Sequence, residues 1–97
     1  MTDADVFPEI YDDLTQDERR ILRGEYVRAQ GGLCLYCGSA LDGSPAEHVM
    51  SRVVDWRLFP DGFQRYPVHL HYSHDTGVTI GAVHMRCNAV LWQFHGE

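Results

Sequence analysis

The sequence predicts a small α+β fold in a single domain of 97 residues. A capped amphipathic helix lies near the N-terminus, and residues 67–95 read as strand, turn, strand and helix in about thirty residues. Residues 68–73 alternate apolar and polar side chains, Asp75, Thr76 and Gly77 supply turn chemistry, and residues 78–83 are rich in β-branched types. From His84 onward the pattern turns helical, with Val90, Leu91, Trp92 and Phe94 as apolar body and Gly96 as terminator.

Taken in order, residues 1–13 form an acidic leader containing Asp3, Asp5, Glu9, Asp12 and Asp13 with no basic residue. It lacks the charged and apolar regions of a signal peptide, and no apolar run reaches membrane-spanning length. Segment 14–30 carries the first helix. Thr15 and Glu18 have capping-box spacing, so the helix should run from Gln16 to about Gln30 and end at Gly31 and Gly32. Ile21, Leu22, Tyr26 and Ala29 make its apolar stripe. Arg19, Arg20, Arg23 and Arg28 occupy the rest, either as a phosphate-contacting face or, the favoured expectation, as a solvated face neutralised by Glu18, Glu25 and the leader.

Residues 33–36 give a short strand or the first arm of a turn, and 38–45 a loop. Residues 53–63 read as a packed irregular connection, with Trp56, Phe59 and Phe63 expected as core filler under it rather than as a base-stacking platform.

The cysteines carry the strongest chemical signal. Cys34 and Cys37 form a CxxC knuckle at 34–37, and His84 and Cys87 form an HxxC at a helix start, where i, i+3 spacing puts both on one face. Three sulfurs and one imidazole make a tetrahedral donor set suited to zinc, and they use every cysteine in the chain. A filled structural site also contributes directly to the folding free energy of a chain with a small core.

These residues resemble those of the HNH, or ββα-metal, endonucleases, most closely the phage recombination endonuclease VII group. That group has an early CxxC, a DHDH segment, a TG turn and a CxxCN on the helix. Here the matching residues are Cys34 and Cys37, then His71, Tyr72, Ser73 and His74, then Thr76 and Gly77, then His84, Cys87 and Asn88. The resemblance implies a zinc-stapled ββα-metal (His-Me finger) fold preceded by a helix, and a metal-dependent DNA endonuclease of phage or bacterial kind. It implies catalytic positions at His71, Tyr72, His74 and Asn88. His71 and Asn88 would hold one catalytic divalent cation, and a histidine ligand favours Mn, Ni, Co or Zn over Mg. Tyr72 stands where the family has its water-activating histidine, and an unperturbed tyrosine titrates near ~10. His74 is the alternative base, although strict strand alternation sets it beside Tyr72. A rival segment, Glu47 and His48 in residues 46–52, resembles the acid-histidine pair of ordinary HNH nucleases.

Eight arginines against fourteen acids give a net charge of −6, a poor match to strong nonspecific DNA affinity. Two functions therefore stand. One is an endonuclease acting on duplex or branched DNA, possible as a homodimer. The other is a zinc-stapled protein that keeps the fold without the base and binds DNA or a protein partner. Thiols reserved for zinc imply a reducing cytoplasm, that of the host cell for a phage protein.

Overall fold

The computed structural model describes residues 9–96. The expected leader therefore falls mostly outside the described residues, which include only its last part, 9–13. It lies along the hairpin: the Thr79 amide donates to the Glu9 carbonyl at 2.7 Å, the Tyr11 amide donates to the Gly77 carbonyl at 2.8 Å, and Ile10 bridges Val78. A 3₁₀ turn, Tyr11–Asp13, then leads into the first helix.

Helix α1, Gln16–Ala29, starts where side-chain chemistry starts it. Thr15 Oγ1 accepts from the Glu18 amide at 3.1 Å, and Glu18 Oε1 accepts from the Thr15 amide at 2.9 Å. The helix stops at Gln30, because Gly31 and Gly32 follow with φ of 67° and 77°, a left-handed conformation that glycine adopts without a Cβ clash. Its buried seam is Leu22 and Tyr26, one turn apart, flanked by Val27. Ile21 and Ala29, expected in that seam, are exposed. The helix packs on the narrow hairpin, so only the i, i+4 row directly above it is covered.

Strands β1, Val68–Tyr72, and β2, Thr79–His84, pair antiparallel as a two-stranded sheet. Val68 faces His84 and His71 faces Gly81; the register then slips so that Tyr72 faces Thr79, leaving Ile80 bulged outward. Ser73 closes the turn by accepting the Asp75 and Thr76 amides on its hydroxyl. In the connection between the knuckle and the sheet a short helix, α2, Glu47–Met50, contributes the fully buried Val49. Helix α3, Met85–His95, follows β2 without a linker. His84, expected as the first helical residue, instead ends β2 with extended backbone and serves as the N-cap.

The knuckle is tied to β2 by Gln30. Its side-chain amide accepts from the Ala82 amide at 2.8 Å and donates to the Ala82 and Leu33 carbonyls at 2.9 and 2.8 Å. The long connection over 51–63 is held by α3: Gln93 binds the Asp55 amide and Val53 carbonyl, and Arg86 donates to the Arg52 carbonyl at 2.7 Å. The core joins these parts through Leu22, Tyr26, Leu41, Val49, Val54, Leu70, Val83 and Val90. Among the described residues no helix is long and apolar enough to cross a membrane.

Candidate functional site

Two polar clusters flank the hairpin and α3. In the first, Cys34, Cys37, His84 and Cys87 bring their ligand atoms within 4.8 Å of one another. The knuckle turns because Gly38 takes φ of 80° while the Cys34 amide donates to the Ser39 carbonyl, which aims both thiols inward. From the other side, β2 delivers His84 and the first turn of α3 delivers Cys87. His84 Nδ1 lies 3.5 Å from both Cys37 Sγ and Cys87 Sγ, and its Nε2 donates to the Ala40 carbonyl at 2.8 Å. That outer bond fixes the tautomer with the lone pair directed at the sulfurs, as an outer-shell partner does for a metal-bound histidine. The Ala46 amide donates to Cys37 Sγ at 3.5 Å. A hydrogen bond from Cys87 pulls the Cys34 thiol down to about 4 against the opposing effect of burial, and the same bond pushes Cys87 up. Cys34, His84 and Cys87 are all buried. The four groups have the donor types, spacing and preset tautomer to hold a structural metal ion.

On the opposite side of the hairpin a cleft of about 740 Å³ opens between α1, β1 and the 58–66 segment. Its floor is a hydrogen-bonded row. His71 Nδ1 lies 3.1 Å from Asn88 Oδ1, and Asn88 Nδ2 lies 3.2 Å from His69 Nδ1. The strand supplies both histidines because residues two apart share a face, and α3 sets Asn88 between them one residue beyond Cys87. His71 is buried. Burial holds His69 below the ordinary histidine range, and Arg23 pushes the same way, while backbone bonds at Phe63 and Tyr66 oppose both.

Of the sequence-predicted residues, His71 and Asn88 meet directly. Tyr72 and His74 line the same cleft but pair elsewhere. The Tyr72 ring stacks on Tyr11 at 4.0 Å, and Arg19 caps Tyr11 from the far side at 3.8 Å. Burial in this stack raises the Tyr72 phenol further above its ordinary value, away from the range of a base at neutral pH. His74 is exposed, its ring 5.0 Å from that of Tyr72, so strand alternation persists into the turn. Glu47 and His48 are exposed on α2, and neither lines this cleft.

His69 is the residue to which the family resemblance gives no role. The signal for it was the strand period: a His-x-His on a half-buried strand places both imidazoles on one face. The arginines also differ from expectation. Arg19, Arg20 and Arg23 line the cleft together with Arg65, and among the described residues Asp17 is the one acid that lines it. Asp17 approaches Arg20 at 3.9 Å, both side chains well exposed, so it neutralises little. Glu18 and Glu25 line a separate groove with Leu14, Ile21 and Leu22. Helix α1 thus turns Glu18 and Glu25 to one side and Arg19, Arg20 and Arg23 over the cleft, with Asp17 among them and Arg28 outside it. Phe59 and Phe63, expected as filler, reach the cleft wall as well as the core, whereas Trp56 does not line it.

Comparison with protein-family models, with curated proteins and with solved structures finds no match to this chain.

Proposed function

We infer that the protein is a metal-dependent phosphodiesterase acting on DNA, of endonuclease VII or HNH type, with structural zinc at Cys34, Cys37, His84 and Cys87. The observation that carries this reading is the cleft: His71 and Asn88 meet at 3.1 Å on its floor, and Arg19, Arg20, Arg23 and Arg65 line its walls. A phosphodiester needs cationic groups for its oxygens, a site for a divalent ion and a base for water, and local arginines supply the first in a chain whose net charge is −6. A divalent cation at His71 and Asn88 would offset charge developing on the phosphate and leaving oxygen. Of the three residues considered as base, His74 fits best, because Tyr72 is engaged with Tyr11 and its phenol is pushed up, and His48 does not line the cleft.

The test is nicking of supercoiled plasmid and of a branched duplex by zinc-loaded protein with Mg, Mn, Ni or Co. Cleavage that disappears in a folded, zinc-loaded Asn88→Ala protein is the expected result, and loss in His74→Ala with Tyr72→Phe active assigns the base. The Tyr72 stack favours a second reading, a zinc-stapled DNA-binding protein without catalysis. Absence of cleavage with every ion, together with cleavage by Tyr72→His, would establish that alternative.

A further inference from the structure

Tyr66 and Trp92 present large aromatic rings to the cleft. Tyr66 lines it from the 58–66 segment and is 57% exposed, and Trp92 lines it from α3 and is 41% exposed. Among the described residues no ring packs against Tyr66, and the one ring neighbour of Trp92 is Phe59, edge-on at 5.3 Å. The Tyr66 ring stands on fixed backbone. Pro67 restricts the residue before it to extended conformations, the Pro67 carbonyl accepts the Met85 amide at 2.8 Å, and the Arg65 amide donates to the Gly62 carbonyl at 3.0 Å. A ring held in this way loses little freedom when a flat group packs on it.

The charges beside these rings are also open. Arg19 is engaged with the Tyr11 ring and carbonyl, whereas among the described residues neither Arg23 nor Arg65 forms a salt bridge. A guanidinium without an acidic partner suits a phosphate oxygen, and an aromatic face beside it suits a nucleobase. The cleft volume selects among forms of DNA. About 740 Å³ lies in the range that encloses one small molecule, roughly 300–1,000 Å³, so a nucleotide that has left its stack fits and a paired step with both backbones does not. Inside a duplex, moreover, both faces of every base are already covered by neighbouring bases, and Tyr66 has nothing to stack on.

We propose that the cleft takes up an unpaired nucleotide of DNA, its base stacked on Tyr66 with Trp92 as the second exposed ring, and its flanking phosphates held by Arg23 and Arg65. A duplex meets the arginines alone, so an unpaired stretch binds more tightly for the same phosphates. DNA as the ligand rests on the phosphodiesterase reading; the stacking needs no catalytic ion.

The test is an anisotropy titration of fluorescent oligonucleotides of about 10 residues with zinc-loaded protein, at one fixed salt concentration and with no further metal added. The probes are oligothymidylate, which has no structure of its own, an abasic strand of the same length, and a blunt duplex. Wild type should bind oligothymidylate about 5–150-fold more tightly than the abasic strand, the equivalent of about 1–3 kcal/mol for a stacked base. Tyr66→Ala should remove that preference and leave duplex affinity unchanged, Tyr66→Phe should retain it, and Arg23→Gln should weaken all three probes. The wild-type comparison decides without any variant: equal affinity for oligothymidylate and the abasic strand overturns the proposal. So does a Tyr66→Ala protein in which duplex and single strand weaken alike. Base-dependent binding by a protein that cleaves no DNA with any ion supports the proposal and refutes the phosphodiesterase reading, whereas cleavage without base-dependent binding does the reverse.

Discussion

Replacing Gly81 by alanine should destabilise the protein by disturbing how the cysteine knuckle is held to the sheet. A Cβ at this position would lie 2.6 Å from Leu35 Cδ2 and 2.8 Å from Gln30 Oε1. The two obstacles are unequal. Leu35 is 49% exposed and can rotate away at little cost. Gln30 is pinned by three hydrogen bonds, two of them to the backbone of Ala82, a residue with no exposed surface. Displacing Gln30 gives up hydrogen bonds worth about 1 kcal/mol each, roughly 3 kcal/mol in all. The gain from stiffening the unfolded chain, about 0.4–1 kcal/mol, offsets a small part. The net expectation is a loss of about 2 kcal/mol. Urea unfolding of the zinc-loaded protein should show a lower midpoint at unchanged slope. In a Gln30→Ala background the obstacle is gone, so adding Gly81→Ala should cost less than about 0.5 kcal/mol. A Gly81→Ala protein as stable as wild type, or an equal cost in both backgrounds, would refute the reasoning.

Chelating the metal from purified protein should unfold it cooperatively, and Cys87→Ala should abolish binding of one zinc per chain; retained near-native circular dichroism after complete removal would show that the cluster is dispensable for folding. Arg23→Gln should weaken duplex binding and lower the slope of log K against log salt by about 0.9 for each phosphate left without a cationic partner, whereas Arg28→Gln, outside the cleft, should leave the slope unchanged. Tyr26→Phe removes hydroxyl bonds to the Thr79 carbonyl and Oγ1 at 3.2 and 3.1 Å and should cost about 1 kcal/mol. Burial raises the Tyr26 phenol above 10.0, so its contribution is present below that pH and is lost as pH rises beyond it; the phenylalanine variant should lose this alkaline limb in pH-dependent melting.

Several features are legible from the chain alone because they depend on neighbours in sequence. The capping box at Thr15 and Glu18, the glycine stop at Gly31 and Gly32, the hairpin turn and the Cys34, Cys37, His84 and Cys87 set all follow from local hydrogen bonding or ligand spacing. Differences arise where a face has to be chosen. Ile21 is apolar and adjacent to the seam, yet the hairpin is too narrow to cover it. Glu9, within an acidic segment, spends its backbone on Thr79 and so belongs to the sheet.

The composition indicated an acidic surface and solvated arginines, and counting could go no further, because net charge says nothing about where the charges sit. Only tertiary structure placed Arg65, distant in sequence from Arg23, opposite α1 across one cleft and turned Glu18 and Glu25 to the other side. The same holds for the cleft floor. The sequence determined that β1 carries a His-x-His and that α3 carries Asn88 next to Cys87. That the helix is anchored at Cys87 and rotated so that the next side chain falls between two imidazoles was decided by the packing of α3 on the hairpin, since hydrogen bonds of about 3 Å require an orientation that no spacing rule contains.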